Sequence, residues 1–227
     1  MNRYIPVKTT LPLLIALSAP AQLPAAQGPA PEVNRAQALV FMGEHLRDTR
    51  PGQTLVYDFT RHASGEPDQT DQVRMTVTGV RGDAARDLSF EFLSGADHLD
   101  FPSTQGYRGN PIAIQFLEWD INNMAQATGT PAAYLRERIR RAFRHPQIRE
   151  EQIDVGGTRV EATEIEVTPF AQDPSLSHLE GYADKRYRFS YSDQVPGDLV
   201  AVGTRMSGAD GASLEEELRF SSSTVTP

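Results

Sequence analysis

Cysteine does not occur in this chain of 227 residues. Its absence excludes disulfides, a thiol nucleophile, thiolate metal ligands and a lipidated cysteine behind a leader, so stability has to come from packing. Also missing is an apolar run of the roughly 18 residues that a membrane-spanning helix needs; the run in the leading segment, Leu11 to Leu17, falls far short. Basic residues are outnumbered 22 to 30, for a net charge of −8. That deficit argues against general nucleic-acid binding, which needs cations to displace the counterions of phosphate. No His-Glu-x-x-His helix, Gly-x-Ser-x-Gly elbow or glycine-rich phosphate loop occurs.

What is present begins with an export pattern. Arg3 and Lys8 precede the short apolar run, and Ala19-Pro20-Ala21 supplies a small-residue cleavage site. The expectation is a signal peptide over residues 1–21, cleaved near Ala21, and a soluble periplasmic protein with neither lipid anchor nor transmembrane segment. Residues 22–32, rich in alanine and proline, read as a disordered lead-in. Residues 33–221 are expected to form a single β-rich domain, and residues 222–227 a frayed tail.

Asn34 with Gln37 three positions on has the form of a capping box, and apolar residues recur at helical spacing to Leu46. A helix is therefore expected over about 35–47. The period then changes to alternation: Leu55, Tyr57 and Phe59; Val73, Met75 and Val77; Leu88, Phe90 and Phe92. Alternation returns after residue 146, where Gly156-Gly157 is a two-residue hairpin signal. On the strand that follows, Val160 and Ala162 share one phase and Ile165 and Val167 the other, which predicts a bulge near Thr163. Three further strands are expected, around 187–191, 199–206 and 214–220.

Between the two sets of strands lies the stretch 110–146, which reads as a helical hairpin. Asn110-Pro111 and Thr130-Pro131 each place a capping side chain before a proline, Gly129 suits a C-cap, and Pro146 ends the second helix. On the first helix Ile114, Leu117, Ile121, Met124 and Ala125 fall on one side, with Ile112, Phe116 and Trp119 on the other. Gln115 and Glu118 mark one flank between these faces, and Asp120 the other. One reading packs one face on the sheet and the other on the second helix. Another makes the Phe116 and Trp119 side the wall of an apolar ligand site. A strand over Ile112 to Phe116 is a third. The second helix is basic and amphipathic, with Arg136, Arg140 and Arg144 on its polar side. These arginines would pair with Glu150 and Glu151 as a solvated face, or dock weakly on an anionic membrane surface.

The fold class expected is α+β, mostly antiparallel: a curved sheet or partly open barrel with an N-terminal helix and an inserted helical hairpin. In its order of elements the chain resembles the periplasmic lipoprotein carrier superfamily and the half-barrel proteins related to it. The resemblance covers most of the mature chain and implies an apolar cavity between sheet and helices that accepts acyl chains; no functional residue is carried over from it. The function expected is non-enzymatic binding of an apolar or acyl-chain ligand or an envelope partner, without cofactor, metal or nucleic acid. Ile112, Phe116 and Trp119 would supply apolar contact, and Arg136, Arg140 and Arg144 would attract a phosphate or carboxylate headgroup. One alternative is a metal-dependent hydrolase built from the His98 loop, with Asp97 and Asp100, and the His178 loop, with Glu180. Another is an assembly factor without a small ligand.

Overall fold

The computed structural model describes residues 33–171, 173, 181–208 and 211–226. The expected signal peptide, the lead-in and the His178 loop lie outside these residues. Nine strands form one antiparallel sheet: β1 (Gln53–Ala63), β2 (Gln69–Arg81), β3 (Ala85–Phe92), β4 (Thr104–Tyr107), β5 (Gln147–Val155), β6 (Thr158–Val167), β7 (Arg186–Tyr191), β8 (Leu199–Ser207) and β9 (Ser213–Val225). Their order is β4-β3-β2-β1-β9-β8-β7-β6-β5, so the sheet is curved and open, with β4 and β5 as its unpaired edges. The C-terminal strand β9 thus lies at its centre, between β1 and β8.

Two rows of cross-strand partners show how alternation becomes two faces. Phe59, Leu218, Val202, Phe189 and Ile165 stand opposite one another in turn, and all five are buried. One residue along, Asp58, Arg219, Ala201, Ser190 and Glu164 form a mostly polar row on the other face. The apolar face receives the helices. The Gly156-Gly157 turn has both residues at positive φ, 58° and 84°, as a tight hairpin of this kind requires.

The helical hairpin consists of α2 (Ile112–Thr128) and α3 (Ala132–Ala142). Asn110 Oδ1 accepts the Ile112 amide at 3.1 Å, and Gly129 takes the left-handed conformation that closes α2, its amide donating to Ala125. No side-chain cap bond forms at the start of α3. α2 packs against α3 and β8. Both expected apolar faces of α2 are used: Ile112, Phe116 and Trp119 are buried, as are Leu117, Ile121 and Met124.

Several expectations are corrected. The N-terminal helix α1 (Arg35–Gln37) is opened by its capping box, with Asn34 Oδ1 accepting the Gln37 amide at 2.9 Å, but it continues only as a wider π turn over Ala38–Met42. Gly43 adopts an extended backbone there and stops it short of residue 47. No register shift occurs at Thr163. Both phases of β6 are buried without a bulge, because Val160 and Ala162 pack on the outer face, where Val160 stands opposite Ile153. The tail is not frayed from residue 222: β9 runs to Val225 by pairing with the start of β1. Finally, Asp120 and Gln115 are buried instead of marking exposed flanks of α2.

Candidate functional site

The distal half of α2 sets two neighbouring side chains to different work. Asp120 is buried against the sheet, where Oδ1 accepts Lys185 Nζ at 2.6 Å and Oδ2 accepts the Tyr187 hydroxyl at 2.6 Å. Both members of the ion pair are 3% exposed. Such a pair is tolerated only when its remaining valences are met, and the tyrosine meets one of them. Burial and the adjacent Asp120 charge hold the Tyr187 phenol well above its ordinary range.

Trp119, one position earlier, packs edge-on to Phe59 at 5.3 Å and tilted against Phe116 at 5.6 Å. Its ring is almost wholly buried, yet among the described residues its indole N–H has no hydrogen-bond partner. Glu216 on β9 shares this region. Its side chain is 8% exposed, and its polar neighbours are distant: Arg61 Nε at 3.5 Å and Thr204 Oγ1 at 3.4 Å. Burial raises its carboxyl pKa, against the opposing pull of Lys185. Arg61 itself is held by Glu66 at 2.6 Å.

These groups line one cleft of about 420 Å³ that enters between α2 and the sheet. Trp119, Met124, Met206 and Leu214 give it an apolar wall, while Lys185, Glu216 and Arg61 give it a charged one. That volume and that mixture of apolar wall with a few polar groups are what small-molecule sites use.

The structure divides the six expected site residues. Trp119 lines the cleft and Phe116 packs against its ring, while Ile112, in the first turn of α2, is buried in the core and does not line the cleft. The arginines are elsewhere. Arg136 makes a two-pronged bond to Glu118 of α2 at 2.7 and 2.6 Å, and Arg140 is paired with Glu137 within α3 at 2.5 Å. Arg144 is exposed just past the helix end. Glu150, one of the partners expected for them, binds Arg35 instead, and Glu151 accepts a bond from Ser190. Sequence reasoning missed Asp120, Lys185, Tyr187 and Glu216, which come from three separated segments. A signal existed for one of them: beyond Lys8, Lys185 is the only lysine in a chain that otherwise uses arginine.

A second concavity, of about 430 Å³, lies at the opposite end of α2 and is lined by Gly43, His45, Tyr191, Asp193 and Asp198 among others. His45 Nδ1 accepts the Asn110 amide at 3.0 Å, and burial lowers the imidazole pKa, keeping the ring neutral. Asp198 adopts a positive φ of 58°, and burial pushes its carboxyl up to about 6. Of the loop proposed for zinc, His98 bonds the Leu93 carbonyl and Asp100, each at 3.0 Å. Among the described residues no group of three or more histidine, aspartate or glutamate side chains is placed to hold a metal ion. Nor is any described helix long and apolar enough to cross a membrane.

No protein-family model matches the chain, and no curated protein matches it. Among solved structures, it is similar to a LolA superfamily protein from Nitrosomonas europaea, at 13% identity over 85% of this chain and 94% of that one, with a TM-score of 0.23.

Proposed function

We propose that this protein is an exported, non-enzymatic periplasmic binder of an amphiphile with a single acyl or alkyl chain, held in the cleft beside Trp119. The observation that carries the reading is the cleft itself: an opening between α2 and the sheet whose apolar wall includes a buried tryptophan with an unpaired N–H. Entry of an apolar chain there removes the exposed edges of Met206 and Leu214 from water, at about 0.8 kcal/mol for each methylene buried. Phe116 backs the wall from the core. Arg140 and Arg144, on the outer side of the hairpin, would add weak attraction to an anionic membrane surface, where each arginine contributes at most about 1 kcal/mol.

Trp119 is the only tryptophan in the chain, so its fluorescence reports on the cleft alone. A fatty acid brominated near its chain terminus quenches indoles at short range. Titration should quench Trp119 saturably, and Ala127→Phe, which narrows the exposed rim without touching the core, should weaken the effect at least tenfold. Quenching that never saturates, or that Ala127→Phe leaves unchanged, would remove the site.

A further inference from the structure

We infer that the cleft beside Trp119 selects an amphiphile whose polar end joins a protonated amine to a neutral oxygen acceptor. The inference rests on the amphiphile reading and adds a headgroup to it. Two buried groups at the cleft have room for a further partner, and they ask for opposite things: among the described residues the Trp119 N–H has none, and Glu216 has only the long contacts of Thr204 and Arg61 at 3.4 and 3.5 Å. The Trp119 indole can only donate, so it is completed by a carbonyl or hydroxyl oxygen. The Glu216 carboxylate can only accept while ionised, and with contacts no closer than 3.4 Å it is completed by a donor, best a charged one.

The charges around the cleft agree. Its lining carries four carboxylates, Glu66, Asp97, Asp120 and Glu216, against two cations, Arg61 and Lys185. Both cations are already engaged, Lys185 by Asp120 and Arg61 by Glu66. Those two pairs cancel, which leaves Asp97 and Glu216 as a net excess of two carboxylates; an anionic headgroup would add to that excess, whereas an ammonium reduces it. This inverts the expectation from the basic helix, whose arginines lie outside the cleft.

Four probes of equal chain length separate the possibilities: glycine dodecylamide, which carries both groups, dodecylammonium, dodecyl maltoside and laurate. Each is titrated below its micelle concentration against the full-length protein, with Trp119 fluorescence as the readout. The expected order of affinity is glycine dodecylamide, dodecylammonium, maltoside, laurate, with at least tenfold between first and last. Glu216→Gln should lower affinity for glycine dodecylamide about tenfold and leave the maltoside unchanged. Glu66→Gln, on the exposed rim, should lower it about twofold and serves if the buried variant does not fold. Failure of all four probes to bind would sink the amphiphile reading. Binding with laurate preferred, or with an order that neither variant alters, would overturn the headgroup alone.

Discussion

The two ends of α2 face the same sheet and are built to different ends. At the first, Asn110 donates both amide hydrogens, to Tyr57 at 2.9 Å and to the Gly197 carbonyl at 2.8 Å, while its oxygen caps the helix and its backbone amide binds His45. One residue thereby ties α2 to β1 and to the turn before β8 through its side chain, and to the segment after α1 through its backbone amide. At the other end Asp120 is anchored as firmly, yet beside it the Trp119 N–H and the Glu216 carboxylate are left underused and a cleft opens. Neither end is satisfied in full, since among the described residues His45 Nε2 and the Tyr191 hydroxyl, which line the concavity at the first end, also lack partners. What sets the distal end apart is the apolar wall of Trp119, Met206 and Leu214 beside its charged groups.

Breaking the anchor at the cleft end should cost the most. Lys185→Met leaves Asp120 charged, buried and held by Tyr187 alone, a loss of about 3–5 kcal/mol in urea unfolding. Adding Asp120→Leu should return most of it, because a buried pair replaced whole is far less costly than one cut in half. At the first end, Asn110→Ala strands the Tyr57 hydroxyl and the Gly197 carbonyl and removes the cap, for about 2–3 kcal/mol by the same measurement. The concavity at that end offers a smaller effect of opposite sign. The Asp198 carboxyl keeps its proton in the native state up to about pH 6, whereas the unfolded chain releases it near 3.9. The native state therefore binds the proton more tightly, and stability falls as pH rises from about 4 through 6. Asp198→Asn, which also accepts the positive φ, should stabilise the protein at pH 8 by about 1–2 kcal/mol and have almost no effect at pH 4. Smallest of all, Arg136→Ala at the half-exposed Glu118 pair should cost less than about 1 kcal/mol in thermal unfolding.

The same contrast explains what was legible in the sequence. Local rules found the elements: the Asn34 and Gln37 capping box, the Gly129 stop, the paired glycines of the β5–β6 turn, and the alternation that made one apolar face and one polar one. They failed where a tertiary partner decided the outcome. Asp120 reads as a flank of an amphipathic helix until Lys185 and Tyr187, more than 60 residues away, arrive to accommodate its charge. The arginines of α3 read as a free basic face, but Glu118 and Glu137 take Arg136 and Arg140. Trp119 was found because a large aromatic on a second apolar face of one helix requires a second apolar environment. Glu216 shares the phase of Leu214, Leu218 and Phe220, so alternation already points it inward; what no local rule shows is that Arg61, Thr204 and Lys185 surround it there.

Whether the Trp119 cleft holds an amphiphile is tested most directly by native mass spectrometry of the full chain, expressed in a Gram-negative host and recovered without detergent. The account predicts a mass above that of the bare chain by one small amphiphile, identifiable after extraction, and its absence from the Ala127→Phe variant prepared in parallel. A bare mass for the wild-type protein, or an adduct that Ala127→Phe retains in full, would contradict it.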